Sequence, residues 1–175
     1  FTKDDFGGAF FQAGVAELTM ACCCIGMALH GGVIAACGTF FVFSDYMKPA
    51  VRMAALMELP VKFIWTHDAF RVGEDGPTHE PVEQEAQIRL MEKLKNHHGK
   101  NSVLVLRPAD SIETTQCWKM AMENTDTPTA LIFSRQNIEQ LPEGTDYAQA
   151  EKGAYIVAGS DENPDVILVA SGSEV

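Results

Sequence analysis

The chain has 175 residues, of which 46% are hydrophobic, and it carries a formal net charge of −11. This is enough apolar material for one folded domain, or for one domain with a piece of another. The negative charge argues against a nucleic-acid partner. No stretch approaches the roughly 18 apolar residues of a membrane span, and no signal segment opens the chain. Because Phe1 is not a natural start and Val175 falls in an apolar run, we expect a piece of a longer protein.

The first element is an apolar helix, predicted over Val15–Leu29 and ended by the glycines after His30. A helix without a polar face must be covered on all sides, and a partner subunit is a plausible source of that cover. The helix contains Cys22–Cys24, three of the five cysteines. Consecutive thiols neither pair readily nor form a metal site, so the cysteines are expected to be reduced core thiols of a cytoplasmic protein.

Glu17 stands out in this helix because Val15, Leu18 and Met20 around it are apolar. A carboxylate in such surroundings must be paired or must take part in chemistry. The alternative is a glutamate of the first turn that the helix dipole favours. The residues alone weigh the two interpretations about equally.

Three aromatic side chains follow a short strand predicted over Val33–Cys37. Phe40, Phe43 and Tyr46 recur every third residue, so a helical turn would place them on one side. From the residues alone, packing into the core is the favoured interpretation. The alternative is an aromatic wall against which a flat ring can stack.

A polar loop, 66–81, follows a helix predicted over Pro49–Leu59 and a strand predicted over Val61–Trp65. It contains His67, His79 and several carboxylates, and loops after parallel strands often carry chemistry. Gly73 and Gly76 allow positive φ and close approach of a ligand. Imidazoles beside acids suit proton transfer and recognition of hydroxyl groups. A polar surface turn with incidental histidines is equally compatible with the residues.

The second half predicts further helices and strands in alternation. An amphipathic helix is expected over Val82–Asn96, a strand over Ser102–Leu106, a helix from the capping box at Asp110 to about Glu123, and a strand over Thr129–Phe133. Arg135 follows the last strand and suits a phosphate or a carboxylate, with a surface salt bridge as the alternative. The order of elements predicts a parallel sheet with helices on both faces.

The last 35 residues have a different character. Leu141–Lys152 is acidic and rich in turn residues, as expected for a linker. Gly153–Ala158 and Val166–Ala170 are strand-like and indicate the opening of another α/β domain. The sequence therefore divides into a domain over 1–140 and a linker with the first strands of a truncated domain over 141–175.

Several ordered motifs together resemble the pyrimidine-binding domain of transketolase. The likeness covers about residues 10 to 140, and 141–175 resembles the linker and the start of that enzyme's C-terminal domain. The motifs are Gly38-Thr39-Phe40, Phe43-Ser44-Asp45-Tyr46, Thr66-His67-Asp68, the run from Val72 to His79, Arg107-Pro108-Ala109-Asp110 and Ser134-Arg135-Gln136-Asn137.

The resemblance implies a thiamine-diphosphate enzyme that moves a two-carbon ketol unit from a ketose phosphate to an aldose phosphate. It implies the thiamine-diphosphate-binding fold of the pyrimidine-domain type, with a parallel sheet sandwiched between helices. The implied catalytic residues are Glu17, which would bond the aminopyrimidine ring, and His79 beside the cofactor. The other implied site residues are Phe40, Phe43 and Tyr46 around the pyrimidine, and His67, Asp75 and Arg135 against the sugar phosphate.

The resemblance also implies partners that this chain lacks. In the family, an N-terminal domain holds the diphosphate and Mg²⁺, and the pyrimidine domain of one subunit of a homodimer faces that domain of the other. No Gly-Asp-Gly…Asn motif and no metal ligands of its own are found in this chain, so it is expected to be inactive alone. Alternatives are a relative such as deoxyxylulose-phosphate synthase or a 2-oxo acid dehydrogenase beta chain, or a non-catalytic interaction module.

The chain departs from the family pattern at three places. Ala16 and Leu18 flank Glu17 where the family usually has arginine and an aromatic residue or histidine. Ala69-Phe70-Arg71 replaces Ser-Ile-Gly, so the bulk and charge of Arg71 could alter substrate access. The stretch Met91–Ser102 is longer than usual and is expected to be a surface insertion.

Overall fold

A four-stranded parallel sheet forms the centre of the computed structural model, which describes residues 2–159 and 163–175. The strands lie in the order β1-β2-β4-β3, so the connection from β2 to β3 passes over β4. In chain order the elements are α1 (Glu17–His30), β1 (Ala36–Phe40), α2 (Ser44–Leu56), β2 (Lys62–Thr66), α3 (Gln84–Lys93), β3 (Leu104–Leu106), α4 (Ser111–Glu123) and β4 (Thr129–Ile132).

Helices cover both faces of this sheet, because alternate residues of each strand point to opposite sides. Phe63 and Trp65 of β2 pack with α1, α2 and α3 in the larger core cluster. Leu131 of β4 points the other way and packs with Cys117 and Ala121 of α4. The predicted fold class, a parallel sheet between helices, is therefore confirmed.

Local signals placed α4 and β4 well, whereas α3 and β3 are shorter than the predicted Val82–Asn96 and Ser102–Leu106. Asp110 caps α4 by accepting a hydrogen bond from the Glu113 backbone N–H at 2.8 Å, as the capping box predicts. The Glu113 carboxylate in turn accepts a hydrogen bond from the backbone N–H of Ala109 at 2.6 Å. In a standard capping box this donor is the N-cap residue itself, one position later. All four residues of β4 are buried, which suits an inner strand of a parallel sheet.

Two boundaries in the first half were wrong. The strand β1 begins at Ala36 rather than Val33, because pairing with β2 starts at Ala36 opposite Lys62 and leaves Val33 58% exposed. Helix α2 begins at Ser44 and contains Pro49, which was predicted to start it. A 3-10 turn over Phe41–Phe43 leads directly into the helix, so the helix is already established before the proline.

The predicted strands Gly153–Ala158 and Val166–Ala170 are also wrong, since neither segment is a strand. A strand needs a hydrogen-bonding partner, and the described sheet offers none to these segments. Leu168 and Val169 are accordingly 93% and 89% exposed. The predicted linker contains a 3-10 helix, Tyr147–Lys152, that packs against α4.

Helix α1 is covered on one side only in this chain. It packs against α2 and β1 and buries Ala21 and Cys24, whereas Leu29 is 56% exposed. Cys22 and Cys23 are exposed as well, which corrects the prediction that they are core thiols; the other three cysteines are buried. Consecutive residues of a helix point in different directions and only every third or fourth reaches the core, so Cys24 is buried while Cys22 and Cys23 are not. No helix of the described residues is long and apolar enough to cross a membrane.

Candidate functional site at the carboxyl edge of the sheet

The predicted site residues follow three neighbouring strands at the same edge of the sheet. Phe40 is the last residue of β1, His67 follows β2, and Arg135 lies three residues beyond β4. Because the three strands are parallel, their carboxyl ends meet. This edge is where open α/β sheets bind ligands.

Phe40, Phe43 and Tyr46 form an aromatic wall. The rings of Phe40 and Phe43 have centroids 6.4 Å apart and planes inclined by 19°, and those of Phe43 and Tyr46 are 6.2 Å apart at 22°. Tyr46 is 62% exposed, whereas the core position in this turn is taken by Phe41. The rings therefore stack on one another without being part of the core.

This wall borders an open cleft of about 530 Å³ that reaches the start of α1. Glu17, the first residue of that helix, lines the cleft and is half-buried. No group of the described residues hydrogen-bonds its carboxylate, and Glu17 lines the same cleft as the three rings. The remaining lining residues are Gly14, Val15 and Thr39.

Both loop histidines lie against the aromatic wall. The His67 ring stacks on Phe40 with centroids 3.6 Å apart and planes at 19°. The His79 ring meets Phe43 edge-on at 5.3 Å and 82°. The hydroxyl of Thr66 is 3.0 Å from His67 Nδ1, and that of Thr78 is 2.8 Å from His79 Nδ1, which leaves each Nε2 for other partners.

The surroundings of His67 favour the neutral form of its imidazole. Burial lowers the pKa of the imidazole because it disfavours the charged form. The carboxylates of Asp75 and Asp68 raise that pKa, while the positive charges of Arg135 and His79 lower it. Asp75, His79 and Arg135 are thus close enough to His67 to affect its pKa. Asp75 and His79 lie in the loop after β2, whereas Arg135 follows β4.

His67 adopts a backbone conformation that is unusual for a residue with a side chain. Its φ is +61°, in the left-handed region, and Arg71 has the same value. Gly73 and Gly76 also have positive φ, at +46° and +75°, as the sequence predicted for this loop. A histidine in this region costs on the order of 1–2 kcal/mol. Such residues persist only where their surroundings hold them, and they cluster at functional sites.

Arg135 makes the salt bridge that was the alternative interpretation of this residue. Its Nη2 lies 2.8 Å from Glu74 Oε2, and the two side chains are 36% and 77% exposed. Exposed pairs of this kind contribute about 0–1 kcal/mol. A phosphate or carboxylate that offers two hydrogen bonds can therefore displace Glu74.

Sequence reasoning missed a buried ion pair under the loop. Asp68, beside His67, pairs with Arg107, which follows β3, at 2.8 Å; their side chains are only 1% and 3% exposed. Both residues belong to the motifs that carry the family resemblance, but no role was predicted for them. The available signal was that each lies within two residues of the end of a strand, which in a parallel sheet brings them to one edge.

A second open cleft, of about 490 Å³, lies at the opposite edge of the sheet. It holds none of the predicted site residues, and its lining includes Lys100, Leu104, Glu123, Asn124, Asp126 and Glu151. Among the described residues no group of three or more histidine, cysteine or acidic side chains could hold a metal ion.

The fold is that of the pyrimidine-binding domain of thiamine-diphosphate enzymes. The family described as transketolase, pyrimidine binding domain, matches residues 1–140. The chain belongs to the transketolase family, and this membership implies thiamine diphosphate as the cofactor.

Individual relatives agree with this assignment. The chain is 52% identical over 178 residues to transketolase of Bacillus subtilis, covering 100% of the chain and 25% of that protein. A crystal structure of transketolase from Pichia stipitis matches with a TM-score of 0.78 and 39% identity over 90% of this chain and 22% of that chain. A split-gene transketolase, described as an inactive beta4 tetramer, matches with a TM-score of 0.58 and 26% identity over 77% and 39%. The chain spans about a quarter of the length of the curated relatives it matches.

Proposed function

We propose that this chain is the central, pyrimidine-binding part of a transketolase, which transfers a two-carbon ketol unit from a ketose phosphate to an aldose phosphate. The observation that carries the proposal is the cleft that Glu17 lines together with Phe40, Phe43 and Tyr46. The division into a domain over 1–140 and a truncated further domain over 141–175 belongs to the same proposal.

The cleft fits one end of thiamine diphosphate by its chemistry. An aminopyrimidine is flat and aromatic, so it can stack against the exposed faces of the wall. Its ring nitrogen can share a proton with a carboxylate, and the half-buried Glu17 has no competing partner among the described residues. When bound, the cofactor supplies the carbanion that cleaves and forms the carbon–carbon bond of the sugar.

Glu17 would hold a proton at the pyrimidine ring. A ring bound against the aromatic wall would displace water from this carboxylate, and a lower local dielectric strengthens a hydrogen bond to the ring. The N-terminus of a helix favours a carboxylate in its first turn, and Glu17 occupies that position in α1. The first-turn position and the catalytic role are therefore compatible, although they were alternatives in the sequence.

The loop residues would bind the sugar. His79, whose ring meets Phe43 edge-on, would take part in proton transfer, and His67 would hydrogen-bond the substrate. Asp75 would accept a hydrogen bond from a sugar hydroxyl. Arg135 would exchange Glu74 for the phosphate group, which its planar guanidinium can hold with two hydrogen bonds.

The proposal includes partners outside this chain. An N-terminal domain would hold the diphosphate and Mg²⁺, and in a homodimer that domain would come from the partner subunit. The match to an inactive split-gene subunit supports the expectation that this chain alone does not catalyse transfer. The enzyme would act in the cytoplasm.

A chimera tests the function directly. Residues 1–175 would replace the matched quarter of Bacillus subtilis transketolase, to which they are 52% identical. We expect ketol transfer in the chimera, and Glu17→Gln should slow it roughly 100- to 10,000-fold, together with deuterium exchange at the thiazolium carbon. Glu143→Gln in the linker is the control and should leave both rates unchanged. A folded chimera whose rates do not respond to Glu17→Gln would contradict the proposed role of this carboxylate.

A further inference from the structure

We propose that Asp68 and Arg107 are positioning residues that hold His67 in place, and that the segment 171–174 completes their support. The inference rests on the proposed function only for the meaning of His67 as a substrate contact. The mechanical connection itself is carried by contacts that Asp68, Arg107 and the segment make with one another.

His67 is fixed from both sides in the chain. Thr66 before it is paired in the sheet with Phe40, and the Asp68 backbone N–H after it donates to the carbonyl of Phe133 at 3.1 Å. A histidine at φ +61° would otherwise relax to negative φ. The position of the Asp68 backbone therefore decides where the His67 ring points.

Asp68 is in turn fixed by its carboxylate. The atom Oδ2 accepts hydrogen bonds from Arg107 Nε at 3.2 Å, from Arg107 Nη2 at 2.8 Å and from the Ser173 hydroxyl at 2.5 Å. Its other oxygen, Oδ1, is buried without a partner among the described residues. A carboxylate this deeply buried depends on the guanidinium, because breaking a buried ion pair leaves an uncompensated charge.

Arg107 uses every one of its five N–H donors. Beyond Asp68, it bonds Glu85 at 2.9 Å, Ser171 at 3.1 Å and Glu174 at 3.1 Å. Two of these partners belong to the segment 171–174, and Ser173 adds the bond to Asp68. If this segment left, two guanidinium donors and the carboxylate would lose partners in a buried place.

The contact with the segment 171–174 is specific rather than a general collapse. The apolar residues just before it are exposed, with Leu168 at 93%, whereas Gly172 and Ser173 are buried. Gly172 also fits too closely for any side chain. A Cβ at this position would lie 2.5 Å from Arg107 Cγ and 2.6 Å from its Nε, and the residue has a φ of +58°.

The pKa of His67 separates a positioning role from a purely electrostatic one. The negative charge of Asp68 raises that pKa, whereas burial lowers it. If Asp68 acts only through its charge, Asp68→Asn should lower the pKa further. If Asp68 holds the ring against Phe40, the ring should move into water on substitution, and its pKa should rise toward the ordinary value of about 6.5.

The experiment uses the 175-residue chain with ¹³C-labelled histidine, and follows the imidazole signals by NMR as a function of pH. His67→Gln identifies the signal. Asp68→Asn should raise the pKa of His67 and speed hydrogen exchange of the amides of 67–72. Asp126→Asn, the same change in the exposed pair with Lys100, is the control and should do neither. An unchanged or lower pKa in a folded Asp68→Asn variant would overturn the proposal.

Gly172→Ala tests the segment without touching the loop, and it decides the matter if Asp68→Asn does not fold. Its Cβ should push Arg107 or the segment away and raise the pKa of His67 in the same direction. Gly99→Ala is the matched control, since Gly99 also has a positive φ of +74° but no atom within 4 Å of the added carbon. Equal behaviour of the two variants at His67 would show that the segment has no part in positioning this ring.

Discussion

At the scale of single residues, the site combines side chains that are held by buried partners with side chains that are free to change partners. Arg135 belongs to the second kind, because its bond to Glu74 is exposed on both sides. Asp68 and Arg107 belong to the first kind, because both are buried and bonded to each other. Arg135 can therefore bind a substrate by exchanging its partner, whereas Asp68 and Arg107 can only orient their neighbours.

Arg135→Ala should separate phosphorylated from non-phosphorylated donors in the Bacillus chimera. A charge-assisted contact to phosphate contributes about 1.5–3 kcal/mol, so KM for ketose phosphates should rise roughly 10- to 150-fold. KM for hydroxypyruvate, which has no phosphate, should remain nearly unchanged. Steady-state kinetics with both donors decides this. Equal losses with the two donors would remove Arg135 from phosphate binding.

Lys62 gives the chain a stability that depends on pH. Its side chain is 2% exposed and donates to the carbonyl of Asn124 at 2.7 Å, and burial lowers its pKa from 10.5 to about 8. Between these values the unfolded chain binds more protons than the folded one, so the free energy of unfolding should rise with pH. Below about 8 both states are protonated and the slope should vanish.

Lys62→Met should abolish this part of the pH dependence, because the methionine fills the same space without a titrating group. Urea denaturation between pH 7.5 and 10.5 measures the free energy of unfolding of both proteins, and their difference removes the contributions of other groups. Lys100→Met, at a side chain 67% exposed, is the control and should keep the slope. A slope that persists in Lys62→Met would show that other groups produce it.

At this scale the sequence could indicate candidate site residues by their type, but it could not predict which residues contact one another. Glu17 stood out because it is a carboxylate in an apolar segment, and the aromatic residues stood out because they recur every third residue. Asp68 and Arg107 lie 39 residues apart and meet only because of the strand order. That order depends on long-range pairing, which no local pattern contains.

At the scale of elements, local signals succeeded where the element is decided locally. The cap at Asp110 and the apolar run of β4 placed their elements within about a residue. The predicted strand at Val166–Ala170 failed for the opposite reason. Its residues favour β-structure, but a strand forms only where another strand accepts its hydrogen bonds. Helix α2 is a third case, because it begins at Ser44, directly after the turn Phe41–Phe43, and not at Pro49 as predicted.

The position of the aromatic wall depends on Gly38 in strand β1. This glycine lies two residues before Phe40, and a Cβ there would approach the carbonyl oxygen of Ile64 to 3.0 Å. Gly38→Ala should therefore push β1 from β2 and destabilise the chain by about 1–3 kcal/mol, as overpacking generally does. Denaturation by urea measures this change, and the intrinsic fluorescence should report any shift at Trp65.

Gly26→Ala is the matched control for this substitution. Gly26 lies in the exposed face of α1 with no atom within 4 Å of an added Cβ. Alanine favours a helix over glycine by about 1 kcal/mol, so this variant should be stabilised rather than destabilised. If Gly38→Ala is as stable as Gly26→Ala, the strand spacing at β1 is looser than the structure shows.

At the scale of the whole molecule, an apolar surface is left uncovered. Val15 is 97% exposed, and the exposed side of α1 adds Leu18, Met27 and Leu29 at 40–56%. Contiguous apolar patches larger than a few hundred Å² are uncommon on soluble monomers and mark interaction sites. The chain as it stands should therefore self-associate through α1, as a symmetric dimer or a higher assembly.

The net charge of −11 opposes this association, so its dependence on salt is part of the prediction. At physiological ionic strength, charges more than about 8 Å apart are screened, and sedimentation should then show a mass above 19.1 kDa. Lowering the salt should shift the equilibrium toward the monomer. Calorimetry should show weak or no binding of thiamine diphosphate, because the proposed diphosphate and Mg²⁺ site lies in another domain.

Leu29→Glu locates the association surface. A charge in the middle of an apolar contact cannot be solvated there, so this variant should be monomeric under conditions in which the parent chain associates. Leu90→Glu on α3, at a side chain 65% exposed and away from α1, is the control and should leave the mass unchanged. A parent chain that sediments as a monomer and binds thiamine diphosphate at micromolar concentration would contradict both the surface and the division of the cofactor site between domains.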